Sequence, residues 1–189
     1  MTDRPPLLEE KIPFERLGEI ARTGTLWAIL DACDAPEVPP KVHQLGSTKA
    51  VSLYKGQAGV AYSGIAPYLV SVDEALLAWI GQTLWTTPWG IFAQADGDLE
   101  RLRTHFRKFL LVEDSKARRM YFRFYDPRVL QTFLRTCNDA ELNEFFGPIR
   151  QILLVHGGED QMPLLNFQRA VRTAQAPDNK PGLRGDAAP

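Results

Sequence analysis

The stretch Arg119-Met120-Tyr121-Phe122-Arg123-Phe124-Tyr125-Asp126-Pro127-Arg128-Val129-Leu130 joins two kinds of periodicity at one point. From Arg119 to Tyr125 apolar and polar residues alternate, with Met120, Phe122 and Phe124 on one side. That is the two-residue repeat of a half-buried strand. Asp126 then offers a carboxylate to free N–H groups, and Pro127 starts a helix at the position where its missing N–H costs no bond. Val129, Leu130, Phe133, Leu134 and Cys137 recur at helical spacing after it. A strand running into a capped helix is the building unit of an α/β fold.

The same reading extends outward in both directions. Toward the C-terminus, Asp139 caps a short helix ending at Phe146-Gly147-Pro148, and Gln151–Val155 reads as the last strand. Leu164, Leu165, Phe167 and Val171 form a further short apolar stretch. Toward the N-terminus, Leu110–Glu113 reads as a strand, and Asp114–Ala117 as a hairpin turn. Asp98 caps a helix with Leu99, Leu102, Phe106 and Phe109 on one stripe, and Asp73 caps one running to about Ile80. Leu26–Ala32, Ala50–Tyr54, Pro67–Val72 and Gly90–Ala95 are strand candidates. Phe14–Arg22 has helical spacing, and Asp34–Lys41, with Pro36, Pro39 and Pro40, reads as a loop. The expected architecture is α/β, a single domain with a mixed β-sheet flanked by helices. Residues 1–13 are expected to be a flexible lead-in, 14–173 the folded domain and 174–189 a disordered, Pro- and Gly-bearing tail.

Composition agrees with one globular unit. The chain has 189 residues, 44% hydrophobic and 24% charged. A domain of this size buries roughly 70% of its unfolded surface and needs no covalent staples. With 22 basic and 23 acidic residues the net charge is -1, which argues against a general nucleic-acid or membrane-surface binder. Two cysteines, Cys33 and Cys137, make no disulfide framework, and a reduced, cytoplasmic setting is expected. No apolar segment follows Met1 as in a secretory leader, and no apolar run approaches the roughly 20 residues of a membrane span.

The common nucleotide and hydrolase signatures are missing: no Walker-type loop, HExxH, CxxC or GxSxG occurs. Lys55-Gly56-Gln57-Ala58-Gly59 reads as a turn rather than a phosphate cradle. His156, Glu159 and Asp160 read as loop residues rather than metal ligands. Asp31, Asp34 and Asp126 follow strands, where carboxylates of an α/β sheet can hold a divalent metal. They define the alternative reading, a small metal-dependent hydrolase. Against it, Asp126 is explained as a cap and no nucleophile accompanies the three. His105 falls among Arg101, Arg103, Arg107 and Lys108, read as a solvated basic face that complements an acidic protein patch. Trp79, Trp85 and Trp89 read equally as core or as a partner-binding surface. The candidate partner-binding residues are Trp85, Trp89, Arg103 and Arg107.

Five segments in order resemble one family: Leu26–Ala32, Ser52–Gly56, Ala66–Val70, Arg123–Leu130 and Phe145–Ile149. They are similar to the effector-chaperone (adaptor) family of bacterial type VI secretion, known as a domain of unknown function. The most specific segment is Arg123-Phe124-Tyr125-Asp126-Pro127-Arg128, and the likeness covers roughly residues 25 to 150. The resemblance implies an α/β fold and no catalysis or cofactor. It implies a cytoplasmic protein that binds a toxin effector and helps load it onto the VgrG spike, with or without a PAAR tip protein. No nucleic acid or membrane partner is expected. Arg123, Tyr125, Asp126, Pro127 and Arg128 read as a structural motif, with Arg123 and Arg128 each placed to pair with Asp126 or Asp31. Longer members carry an extra C-terminal lobe, whereas about forty residues follow Ile149 here.

Overall fold

Leu26–Asp31 (β2) is buried at every position, and the molecule is layered around it. The computed structural model describes residues 7–113, 116–155 and 164–169. Strands Leu7–Ile12 (β1), Ala50–Ser52 (β3), Pro67–Ser71 (β4), Gly90–Ala95 (β5), Ile149–Val155 (β8) and Leu164–Arg169 (β9) join β2 in a seven-stranded sheet. Their order is β1-β9-β8-β5-β2-β4-β3. Leu111–Glu113 (β6) and Arg119–Tyr121 (β7) form a separate two-stranded ribbon. The helices are Glu15–Arg22 (α1), Val38–Leu45 (α2), Gly56–Ala61 (α3), Glu74–Thr83 (α4), Leu99–Arg107 (α5), Pro127–Thr136 (α6) and Asp139–Phe146 (α7).

Both faces of the sheet are covered. Leu26, Ala28 and Leu30 pack with Leu17 and Ile20 of α1, Val38 of α2, and Leu76, Leu77 and Ile80 of α4. Trp27 and Ile29 point the other way, onto Leu102 and Phe106 of α5, Leu130 and Leu134 of α6, and Phe145 of α7. That is why β2 reads as an unbroken apolar run rather than an alternating one. Asp31 continues the Trp27–Ile29 side by the two-residue repeat, which aims its carboxylate at the α5–α6–α7 layer.

The α/β class and the helical flanks match expectation, but the sheet is not mixed. Every strand pairing among the described residues is antiparallel. The helix-linked strands β4 and β5 are parallel in direction yet never touch, because β2 lies between them and pairs antiparallel with both. Alternation along the chain predicts a crossover, not which strand fills the gap.

Residues 7–12, expected in the flexible lead-in, are instead an edge strand. β1 pairs with β9 from Leu7↔Arg169 to Ile12↔Leu164. Its exposed Glu9, Glu10 and Lys11 hide the strand from a polarity reading and suit an edge that must not pair further. Residues 38–45, expected in a loop, form α2, because Pro39 and Pro40 sit in the first turn where their N–H groups are not needed. The apolar stretch at Leu164 is β9. The alternating strand predicted to reach Tyr125 stops at Tyr121, and Met120, expected in the core, is 46% exposed. Phe124 of the same stripe is fully buried. Part of the predicted hairpin turn, residues 114–115, lies outside the described residues, as do His156, Glu159, Asp160, Val171 and the tail. Among the described residues, no helix is long and apolar enough to cross a membrane.

Candidate functional site

The carboxyl end of β2 and the start of α6 meet at the conspicuous motif. Asp31 is 4% exposed. Its Oδ1 accepts from the backbone N–H of Cys33 at 3.0 Å, and its Oδ2 accepts from Arg123 Nη2 at 2.6 Å. Arg128 takes the other carboxylate. Its Nε donates to Asp126 Oδ1 at 3.0 Å and its Nη2 to Oδ2 at 2.6 Å, a two-pronged pair. Asp126 Oδ1 also accepts the Arg128 backbone N–H at 2.9 Å, so the carboxylate caps α6 as its sequence position predicts. Of the two pairings open in the sequence, Arg123 serves Asp31 and Arg128 serves Asp126. Burial pushes the Asp126 carboxyl up, but the Arg128 side chain and backbone N–H outweigh it and hold the group below its ordinary value.

Aromatic rings extend this corner. The Arg123 guanidinium lies 5.9 Å from the Tyr125 ring centre, within cation–π range. Burial first, then the neighbouring Tyr54 and Asp31, push the Tyr125 phenol above its usual range. Burial pushes the Tyr54 phenol up as well. Tyr54 meets Tyr121 of β7 edge to face, 6.2 Å between centres. A continuous chain of side chains therefore runs Asp31–Arg123–Tyr125–Tyr54–Tyr121. Tyr54 and Tyr121 carry no sequence motif of their own, and only the pairing of distant segments shows them to belong here.

The three carboxylates of the metal reading do converge on this end of the molecule, but two arginines are interleaved with them. Asp34 is exposed on the loop after β2, close enough to act on the charge of Arg128. Among the described residues, no group of three or more His, Cys, Asp or Glu side chains is arranged to hold a metal ion.

The candidate binding residues divide. Trp89 is 2% exposed and stacks edge to face on Phe92 at 5.0 Å, so it is core. Trp85 is half-buried against Phe14, with centres 4.8 Å apart. It lines a cleft of about 270 Å³ together with Pro127, Arg128, Gln131 and Leu165. Arg103 and Arg107 are half-buried and work inward. Arg103 Nε donates to the Ser52 carbonyl at 3.1 Å, and Arg107 Nη1 to the Leu53 carbonyl at 2.9 Å. They satisfy carbonyls of the sheet's edge strand and the loop after it, where among the described residues no further strand pairs. His105, expected on a solvated basic face, is 7% exposed, and its Nε2–H donates to the Phe145 carbonyl at 2.8 Å. Burial holds its imidazole below the ordinary value, more strongly than the Phe145 bond raises it.

Exposed large apolar side chains occur nearby: Val60, Tyr62 and Ile65 on and after α3, and Leu111, Met120 and Tyr121 on the ribbon. The α3 helix packs close on Tyr54, since a Cβ added at Gly59 would lie 3.1 Å from the Tyr54 carbonyl.

No curated protein and no solved structure matches the chain. The family model described as a domain of unknown function (DUF4123) matches residues 26–144, from the first residue of β2 into α7. That span takes in the Asp31, Tyr54, Tyr121, Arg123 and Asp126 corner and more than half of the chain, which therefore belongs to the DUF4123 family.

Proposed function

We propose that this protein is a non-catalytic adaptor of type VI secretion. It binds a toxin effector in the cytoplasm and promotes the effector's loading onto the VgrG spike, with or without a PAAR tip protein. The observation that carries this reading is the use of the charged motif. Arg123 and Arg128 neutralise Asp31 and Asp126, so the motif builds a rigid corner rather than a reactive centre. Reactive carboxylates need a free face toward a substrate or metal, and two of these three are engaged by guanidinium groups. Beside that corner lie exposed aromatic and aliphatic side chains, the composition of a protein-binding surface. The likeness of five ordered segments to the adaptor family supports the same reading. The metal-hydrolase alternative gains no support from this arrangement.

Deleting the gene in the producing cell tests the proposal. The toxin is expected to vanish from the secreted fraction while the spike is still assembled, and the adaptor itself is expected to stay inside. Secretion of every toxin at its normal level in the deletion strain contradicts the reading.

A further inference from the structure

The β6–β7 ribbon is built as though a strand were missing beside it. Leu111, Met120 and Tyr121 are 50%, 46% and 68% exposed, and every residue of β7 is exposed. A two-stranded hairpin is marginal in water without a third strand or a cover. The Phe122 N–H donates to the Leu110 carbonyl at 3.0 Å. Antiparallel bonding alternates, so Arg119 and Tyr121 turn their N–H and C=O groups to the outer edge. Among the described residues β7 pairs with β6 alone.

Charge adds a second condition. Residues 108–123 hold five basic side chains (Lys108, Lys116, Arg118, Arg119, Arg123) and two acidic ones (Glu113, Asp114), in a chain of 22 basic and 23 acidic residues. Arg123 donates to Asp31, yet its side chain remains 43% exposed, leaving guanidinium N–H groups toward solvent. It is held in place by Asp31 and the Tyr125 ring, and Tyr125 and Tyr54 connect it to Tyr121.

We propose that the outer edge of β7 docks an extended, acidic and apolar segment of a protein partner. The segment adds as a strand to β7. Met120 and Tyr121 contact its apolar side chains, and Arg123 receives one of its carboxylates. Charge disfavours a second copy of the chain, since pairing β7 with β7 brings two net-basic 108–123 stretches together, even with Arg119 offset in part by Glu113. A nucleic-acid strand would meet the charge but has no peptide groups for the open edge. The proposal deepens the adaptor reading and rests on it for the partner's identity alone.

The test uses the full chain with p-benzoylphenylalanine in place of Tyr121, and a control with the same photoreactive residue in place of the exposed Ala140 on α7. Both are irradiated in the producing cells. The expected result is a protein cross-link from position 121 and none from position 140, to a segment of net negative charge with alternating apolar residues. A synthetic peptide of that segment is then titrated by fluorescence anisotropy. Binding should weaken about tenfold or more in Tyr121→Ser, with unchanged circular dichroism melting, and should weaken with added salt. No cross-link at 121, equal cross-links at both positions, a basic segment or a nucleic acid overturns the proposal. So does undiminished peptide binding by Tyr121→Ser. An acidic segment of a protein that is not a secreted toxin keeps the docking edge and removes the adaptor reading. A toxin captured through position 140 alone does the reverse.

Discussion

Arg123 reaches across 92 positions of sequence to set its Nη2 2.6 Å from Oδ2 of Asp31, tying the connection into α6 to the end of the central strand. The carboxylate is buried while the guanidinium is partly in water. Losing the arginine strands a buried charge. Arg123→Met is expected to cost about 2–3 kcal/mol in urea unfolding, less than a fully buried pair because Arg123 is partly solvated. The double change Asp31→Asn with Arg123→Met should recover much of that loss. Equal stability of the wild type and Arg123→Met would show that the pair does not hold this corner.

The α6 cap separates the roles of Asp126 and Arg128. Asp126→Ala removes the cap and the ion pair together and should cost about 1–2 kcal/mol. Asp126→Asn keeps an oxygen for the Arg128 N–H and should cost less. Arg128→Ala keeps the cap but leaves the buried Asp126 carboxylate without its cation, so its melting temperature should fall further than that of Asp126→Asn. The order of the three melting temperatures is the check.

Gly147 lies in the left-handed region at φ 44°, and a Cβ there would sit 2.6 Å from Cε1 of His105. Both the backbone and the packing need glycine at the turn from α7 into β8. Gly147→Ala is expected to destabilise by about 1–3 kcal/mol, read from chemical unfolding.

The buried His105 gives the pH dependence a definite sign. Its imidazole is held below the ordinary value of 6.5 in the folded protein. The unfolded chain therefore binds the proton more readily, so stability is full above that value and falls as pH drops below it. The urea midpoint should decline from about pH 7.5 to about pH 5.5, and His105→Gln should flatten that slope. Asp126, held below its usual 3.8, acts in a lower window. Its contribution is present above 3.8 and is lost as pH falls through its depressed folded value.

Much of this fold is legible locally. Asp73, Asp98 and Asp126 each cap the helix that they precede in sequence, accepting from Leu76, Arg101 and Arg128 N–H groups. β2, β4 and β5 announce themselves as apolar runs because helices cover both faces of the sheet. The rest depends on partners that lie far away in sequence. β1 has the composition of a polar segment and becomes a strand only because β9 offers it an edge. The Pro39-Pro40 pair looks like a helix breaker until its place in a first turn is known. At the site, the motif itself is legible, but Arg103 and Arg107 read as free cations, although they serve carbonyls about fifty residues away. Met120 alternates in step with Phe124, yet the strand ends at Tyr121 and the chain turns at Phe124–Tyr125, so the two have different surroundings.

The most direct measurement of the central claim is native mass spectrometry of the tagged, full-length protein isolated from cells producing the secretion apparatus. The adaptor reading predicts a complex of defined stoichiometry with one toxin effector, joined by the VgrG spike in part of the population. A chain isolated alone from such cells, carrying a stoichiometric divalent metal ion, would contradict it.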